Sequence, residues 1–251
     1  MTNDINQRNF LIEIEYDGHD YYGWQRQKNK KTVQNEIESV LTKLYQKPIK
    51  VIGACRTDAG VSASGQIANF YLPVQLSQRF SLKELQKKLN AMLPDDIYIK
   101  KIRMVEQNFH ARFLAKSKVY QYHIILTKSP LKQRFAWYLP YDLSLKDMQK
   151  AAKLFVNHKD YRAFCKISDP NKNTKCSINK ITIKQRGNEI FIKICGTRFL
   201  YKMARRIVGA LVAVGQKKRS LADIKNCLNG LGNKPIVVAP APGLKLVKVN
   251  Y

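Results

Sequence analysis

The alternation of apolar and polar residues along the chain predicts β-strands in both of its halves. In the first half, Phe10, Ile12, Ile14 and Tyr16 occupy every second position, so a strand places all four on one face. The stretch Val119–Leu126 alternates in the same way and predicts a strand early in the second half. The other predicted strands are Ile49–Gly53, Gln66–Leu72, Ile97–Met104, Ile178–Lys184, Glu189–Cys195 and Leu244–Tyr251. The segment Gln185-Arg186-Gly187-Asn188 predicts a hairpin turn between two of them.

Helices are predicted where apolar residues recur every three or four positions after a capping residue. Ser81 and Glu84 form a capping-box pattern ahead of such a segment, which is a strong signal for a helix start. The stretch between Gly53 and Gly65 is rich in small residues and predicts a loop. The predicted helices begin at Thr32, Ser81 and Ser144, and two later ones run from Phe199 to Val214 and from Ser220 to Leu228.

The predicted elements follow the order β-α-β-β-α-β in each half, which is the ferredoxin-like order. We therefore expect an α+β fold in which two halves share one mixed, mostly antiparallel sheet, with helices on one face and an open cleft on the other. No Pro/Gly/Ser-rich linker occurs near residue 105, so the halves, 1–105 and 106–251, are expected to be fused subdomains. They show no residue-level repeat, and a duplication rests on element order alone.

The charge of the chain is strongly positive and unevenly distributed. The 251 residues contain 45 Lys and Arg against 18 Asp and Glu, a formal net charge of +27. Residues 1–105 carry +5 of it and residues 106–251 carry +22. A surplus of this size is typical of proteins that bind a polyanion, above all nucleic acid. The alternative is a lysine-rich surface that only contacts water, as helix positions such as Lys83 would.

Several classes of protein are disfavoured by the composition. Hydrophobic residues make up 45% of the chain, which excludes a disordered basic tail. No apolar run approaches the roughly 18 residues that a membrane helix needs, and the polar segment Met1–Gln7 does not resemble a secretory signal. The five cysteines include no CxxC pair, and the four histidines lack ligand spacing, so we expect reduced thiols, no metal and a cytoplasmic protein.

The loop around Asp58 is the most informative site for chemistry. Arg56 precedes Asp58 by two residues, and small residues surround both, so a bulky ligand could approach the carboxylate. Arg56 can hold the Asp58 carboxylate ionised and oriented, which suits a nucleophile or a base. The alternative is an ordinary Asp-Ala-Gly turn with a surface arginine, and composition alone favours it.

The segment Arg56-Thr57-Asp58-Ala59-Gly60-Val61 resembles the catalytic signature of the tRNA pseudouridine synthase A family. Other segments of the chain are similar to family motifs, and they follow the family's order through nearly the whole sequence. These segments are Tyr16-Asp17-Gly18, Tyr22-Gly23-Trp24-Gln25, Thr32-Val33-Gln34, Phe109–Phe113, Tyr120-Gln121-Tyr122, Asp160–Cys165, Phe199–Gly209, Ala239–Leu244 and Tyr251.

The resemblance implies a pseudouridine synthase fold and a cofactor-free isomerase that acts on RNA. It implies Asp58 as the nucleophile, held by Arg56, and Tyr120 as the residue that stacks on the target base and is a candidate for removing its C5 proton. It also implies that Arg112 and Arg205 bind substrate, that a homodimer binds tRNA through a basic cleft, and that uridines 38, 39 and 40 of the anticodon arm are the targets.

Each of these residues also has a purely structural interpretation. Periodicity alone makes Tyr120 an inward-facing strand tyrosine, and Arg205 could share a solvated helix face with Lys202 and Arg206. Ribosomal RNA is an alternative substrate for the same chemistry. A non-catalytic RNA-binding protein is a further alternative, although binding alone does not require an acidic side chain such as Asp58.

Three positions depart from the family pattern. Ser62 stands where a histidine is usual, Cys55 where a small Gly or Ser is usual, and Asn35 where a glycine is usual. None of them alters Arg56 or Asp58. We expect Ser62 to affect how the RNA backbone or a flipped base is contacted, and thus the preferred substrate.

Overall fold

The residues described by the computed structural model are 6–166, 171, 173–232 and 235–251, and they form two structural units. Unit 1 comprises Met1–Lys116 and Leu246–Tyr251, and unit 2 comprises Ser117–Lys245. The strands are β1 (Gln7–Tyr16), β2 (Val51–Gly53), β3 (Ser62–Pro73), β4 (Ile97–Val105), β5 (Ser117–Ile125), β6 (Trp137–Tyr138), β7 (Ile178–Arg186), β8 (Glu189–Gly196) and β9 (Leu244–Asn250). The α-helices are α1 (Val33–Tyr45), α2 (Val74–Ser77), α3 (Leu82–Met92), α4 (Pro130–Gln133), α5 (Leu145–Phe155), α6 (Met203–Gly215) and α7 (Leu221–Leu228).

Unit 1 is built around the central pair of antiparallel strands β1 and β3. β4 pairs with the other edge of β1, while β2 and the last residues of β9 lie along the other edge of β3. The predicted apolar face of β1 is confirmed, because Phe10, Ile12, Ile14 and Tyr16 are all buried. Phe10 stacks on Phe70 of β3 with ring centroids 5.4 Å apart, so a cross-strand aromatic pair fixes the register in the core.

The helices of unit 1 follow the sequence signals. Helix α3 begins with the predicted capping box, in which Ser81 and Glu84 satisfy each other's backbone N–H groups. Helix α1 begins after Thr32, whose buried hydroxyl makes no capping hydrogen bond. Helices α1 and α3 contact each other, and α3 packs against β4. Apart from the short α2, unit 1 has the predicted β-α-β-β-α-β order.

Unit 2 contains the antiparallel strands β5, β8 and β7, with the short β6 parallel to β5. The predicted hairpin is confirmed: β7 and β8 are joined through Gly187, whose φ of +55° explains the glycine in this tight turn. Helix α5 packs against α6, α7 and β7. The described residues therefore have the expected α+β class with mostly antiparallel strands.

Two predicted elements, β3 and α6, begin four residues away from their observed starts, each for a local reason. β3 begins at Ser62 rather than after Gly65, because its small residues allow close strand packing: a Cβ on Gly65 would lie 2.4 Å from the Val247 carbonyl oxygen. Helix α6 begins at Met203 rather than at Phe199, because Lys202 adopts a left-handed conformation with φ +60°. Apolar spacing does not reveal such a backbone reversal.

Candidate active site

Asp58 lies in a loop of unit 1, residues 54–61, that connects β2 to β3; we call it the Asp58 loop. The Val61 N–H donates to the Asp58 carbonyl oxygen over 3.1 Å, which closes a tight turn around Ala59 and Gly60. The Gly60 N–H donates to the Tyr21 carbonyl oxygen over 3.2 Å, with Gly60 at φ +77°. The turn proposed as the structural alternative is thus present, and Asp58 is held within it in a half-buried position.

The start of the Asp58 loop is held by the side chain of Gln66, a fully buried residue of β3. The Gln66 Nε2 donates to the Cys55 carbonyl oxygen over 2.9 Å. The Gln66 Oε1 accepts from the Cys55 N–H over 3.3 Å. One side-chain amide therefore satisfies both backbone groups of the residue immediately before Arg56.

Thr57, between Arg56 and Asp58, is buried and makes contacts through its side chain and its backbone. The Thr57 Oγ1 and the Tyr16 hydroxyl are hydrogen-bonded at 2.8 Å. The Thr57 carbonyl oxygen accepts from the Trp24 N–H over 3.2 Å. Burial raises the pKa of Tyr16 far above its ordinary value, so this phenol keeps its proton and the contact remains a neutral hydrogen bond.

Gly23 allows a neighbouring segment to approach the Asp58 loop closely. A Cβ on Gly23 would lie 2.5 Å from the Thr57 carbonyl oxygen, and its φ of +88° is a conformation that side chains rarely adopt. The motif Tyr22-Gly23-Trp24 thus lies directly against the loop, which gives a physical reason for its glycine.

Ser62 links the end of the loop to the segment after β1. It is buried, its Oγ accepts from the Gly18 N–H over 3.0 Å, and it donates to an Asp17 carboxylate oxygen 3.5 Å away. In this chain the departure from the family histidine therefore places a compact hydroxyl inside unit 1. The effect of Ser62 on substrate preference stays a prediction.

Arg56 and Asp58 occupy the same loop, but their environments differ. The residue Arg56 is exposed, whereas Asp58 is half-buried. The predicted orienting contact between the two side chains stays a prediction.

Arg112 belongs to unit 1 and follows a segment anchored by two buried asparagines. Asn69 accepts from the Ala111 N–H over 2.9 Å and donates to the Asn9 side-chain oxygen over 3.0 Å. The Tyr251 hydroxyl donates to the Ala111 carbonyl oxygen over 2.8 Å. Arg112 itself is exposed, as a residue that contacts a large polyanion would need to be.

Tyr120 lies on β5 of unit 2 and is buried, with a relative exposure of 6%. Its ring packs edge-on against Phe199 with centroids 4.8 Å apart. The structural interpretation of Tyr120 as an inward-facing strand residue is therefore correct for its position. An aromatic ring held in this way also retains the rigidity that base stacking would use.

Arg205 lies in the first turn of α6 and binds the segment after residue 235. Its Nε donates to the Ala239 carbonyl oxygen over 2.7 Å, and the Ala239 N–H donates back to the Arg205 carbonyl oxygen over 3.1 Å. Arg206 is also half-buried and donates to the Ala163 carbonyl oxygen over 3.3 Å. These contacts differ from the solvated helix face considered as the alternative.

The described residues lack the features of two other kinds of site. Within them, no group of three or more His, Cys, Asp or Glu side chains is arranged to hold a metal ion. No helix in the described part of the chain is long and apolar enough to cross a membrane.

Sequence reasoning missed the buried amides that position the candidate residues. Gln66 and Asn69 are both completely buried on β3, yet they appeared only as polar members of a predicted strand. Their signal was available in the sequence: two amide side chains within an otherwise apolar and small-residue strand require buried partners. Which backbone groups they satisfy depends on strand register and needs the structure.

Comparison with known proteins yields relatives over almost the whole chain. The chain is 39% identical over 246 residues to "tRNA pseudouridine synthase A" of Dictyoglomus thermophilum, covering 97% of this chain and 99% of the relative. It is 39% identical over 248 residues to the protein of the same name from Acetivibrio thermocellus, covering 97% and 100%. A Bacillus protein of that name is 36% identical over 246 residues, covering 97% and 99%.

The family model described as tRNA pseudouridine synthase matches residues 12–114 and 151–251. These ranges include the Asp58 loop, Arg112 and Arg205. The chain therefore belongs to the tRNA pseudouridine synthase family.

Proposed function

We propose that this protein isomerises uridine to pseudouridine in tRNA, with Asp58 as the nucleophile. The observation that carries the proposal is the Asp58 loop, in which a half-buried carboxylate follows an exposed arginine on a backbone fixed from several sides. Family membership and relatives named tRNA pseudouridine synthase A over 97% of the chain support tRNA as the substrate.

The reaction exchanges one glycosidic bond for another. The bond from N1 of uracil to C1′ of ribose breaks, the base turns, and a bond from C5 to C1′ forms. C5 then loses its proton and N1 gains one, so the reaction is an isomerisation with no net redox change and no requirement for a cofactor. The Asp58 carboxylate forms and later releases a covalent ester, with either the ribose or the base as its partner.

The other candidate residues act on the substrate in this proposal. Arg56 orients the Asp58 carboxylate by a charge-assisted contact. Tyr120 stacks on the uracil after the nucleotide leaves its helix, and its hydroxyl is the candidate acceptor for the C5 proton. Arg112 and Arg205 contact the RNA backbone or the target nucleotide.

The charge distribution supports a docking role for the second half of the chain. The +22 carried by residues 106–251 suits a folded RNA, because each neutralised phosphate releases counterions. The finer parts of the proposal are uridines 38, 39 and 40 as targets, a homodimer as the active species, and action in the cytoplasm. The five cysteines are thiols rather than disulfides in the described residues, which fits a reducing compartment.

The test is incubation of the purified protein with a panel of tRNA transcripts, followed by chemical mapping of pseudouridine at single-nucleotide resolution. We expect product at position 38, 39 or 40 wherever a uridine is present. Product on ribosomal RNA alone would show that ribosomal RNA, and not tRNA, is the substrate. Tight RNA binding without product would favour a non-catalytic role. Light scattering during size-exclusion chromatography, with and without tRNA, tests the homodimer.

A further inference from the structure

We infer that Gln66 is a positioning residue for catalysis: its side-chain amide takes the place of a strand partner and fixes the backbone from which Arg56 and Asp58 project. The inference rests on the proposed function of Asp58. Gln66 is fully buried, so its proposed effect on the reaction passes through the loop.

The strand register shows why a side chain is needed at this point. β2 pairs antiparallel with β3 through Val51 and Phe70, then Ile52 and Asn69, then Gly53 and Ala68. The Ala54 N–H still donates to the Ile67 carbonyl oxygen over 2.8 Å. Continuing this register brings Cys55 opposite Gln66.

At Cys55 the backbone pairing stops and the side-chain pairing begins. The Gln66 amide donates to the Cys55 carbonyl oxygen over 2.9 Å and accepts from its N–H over 3.3 Å, reproducing both hydrogen bonds of an antiparallel partner. A side chain reaches further than a backbone, so the chain can leave the sheet here without losing either bond. The loop therefore departs from β3 at a fixed residue and in a fixed direction.

Hydrogen bonds also hold Thr57, the residue that follows Arg56. The Tyr16 hydroxyl is hydrogen-bonded to the Thr57 Oγ1 at 2.8 Å and also interacts with the Gln66 side chain. Tyr16, Gln66 and Thr57 are all buried, so water does not compete for these bonds. Arg56 is consequently fixed through the residues on both sides of it, and Asp58 follows directly.

The test uses the chemical likeness between an amide and a protonated carboxylic acid. In Gln66→Glu, the protonated acid offers one acceptor and one donor, so it can form both bonds to Cys55. The ionised form offers acceptors only and faces the Cys55 carbonyl oxygen. Burial raises the pKa of such a carboxyl group, which brings its ionisation into the range where the enzyme can be assayed. Among the described residues, two titratable residues contact the Gln66 side chain: Tyr16 through its hydroxyl and Cys55 through its backbone.

We expect Gln66→Glu to have a near-wild-type kcat at low pH that falls about tenfold or more as the introduced carboxyl ionises, with KM for tRNA unchanged. Gln66→Met, which fills similar space without hydrogen bonds, should lower kcat by a similar factor at every pH. Asn90→Asp is the matched control, because Asn90 clamps both backbone groups of Ile99 in the same way, at 3.0 and 2.7 Å, away from the loop. Its kcat should follow the wild-type pH profile.

Circular dichroism and tRNA binding are measured for every variant at every pH. A folded Gln66→Glu protein whose kcat profile parallels that of wild type overturns the inference. So does a variant that loses activity only as it unfolds, or one that is unfolded at every pH, since Gln66 would then serve only the core. Failure of the proposed function is a separate result: wild-type protein would then form no pseudouridine in any tRNA.

Discussion

The Asp58 loop of unit 1 lies outside the paired strands, whereas Tyr120 of unit 2 lies on the paired strand β5. Hydrogen bonds fix the loop: the backbone of Cys55, Thr57 and Gly60 is bonded to Gln66, Trp24 and Tyr21, respectively. In unit 2, the backbone of Tyr120 pairs with Ile194 of β8, and its ring is buried and packs edge-on against Phe199.

The difference follows from what each region is proposed to do. A nucleophile must be placed within a fraction of an ångström, and directional hydrogen bonds on the backbone provide that accuracy. An aromatic ring that stacks on a base must offer a flat surface. Close packing can hold such a ring without the strict angles that hydrogen bonds require. The loop should therefore respond sharply to small changes, and the Tyr120 region should respond in proportion to the ring surface removed.

Asp58→Asn tests the proposed chemistry of the Asp58 loop and has the largest expected effect. The amide cannot form the ester, so pseudouridine formation should fall below detection while the Kd for tRNA changes little. Exposed Asp95→Asn in the same unit is the control and should remain active. A loss of tRNA binding equal to the loss of activity would instead assign Asp58 a structural role.

Tyr120→Ala tests the proposed stacking role of the packed Tyr120 ring in unit 2. Removal of the ring should cost stacking of roughly 1–3 kcal/mol, a fall of about 5- to 150-fold in kcat/KM. Tyr120→Phe keeps the ring and separates stacking from proton removal: retained activity assigns stacking alone, and a fall in kcat assigns a role to the hydroxyl. If Tyr120→Ala only lowers the melting temperature and leaves kcat/KM intact, the residue is structural.

Gly23→Ala tests how sensitive the loop is to its neighbour. The φ of +88° should cost about 1–3 kcal/mol of unfolding free energy, and the new Cβ would press on the Thr57 carbonyl oxygen and displace the loop. Gly187→Ala is the matched control, because Gly187 also has a positive φ but has nothing within 4 Å of an added Cβ. Chemical denaturation should show the larger destabilisation for Gly23→Ala, which adds a steric clash to the backbone strain, and only Gly23→Ala should lower kcat, by about tenfold. Equal kcat values would mean that the loop tolerates the contact.

Arg112→Ala has the smallest expected effect and tests electrostatic docking outside both regions. Loss of one phosphate contact should reduce the slope of log K against log salt concentration by about 1, with no change in kcat at saturating tRNA. Lys83→Ala, on the exposed surface of α3, should leave the slope unchanged. A decrease for both variants would indicate diffuse attraction rather than a contact at Arg112.

The local patterns of the sequence predicted much of the fold. The alternation in β1, the capping box of Ser81 and Glu84 and the turn at Gly187 depend on neighbouring residues, and the structure contains all three. The left-handed Lys202 could not be predicted, because ordinary side-chain types surround it and packing determines its backbone.

The candidate site also combines features that local sequence patterns predict with contacts that only the structure reveals. A loop of small residues around Asp58 was evident from the sequence and is present between β2 and β3. The bonds of Gln66 to Cys55 and of Ser62 to Gly18 join residues 11 and 44 positions apart. Such contacts require the strand register and the path of the segment after β1, which periodicity does not encode.

The membership of residues 246–251 in unit 1 has a consequence for how the protein is made. During translation, residues 6–116 emerge first but lack the strand that lies beside β3 and the Tyr251 hydroxyl that binds the Ala111 carbonyl oxygen. All of residues 117–245 must be synthesised before that strand exists. The nascent chain therefore exposes the part of this β3 edge that β2 does not cover, and completion of the unit depends on contacts of high sequence separation, which form slowly. Ribosome-bound intermediates of this protein should accordingly be the species most exposed to aggregation and to chaperones.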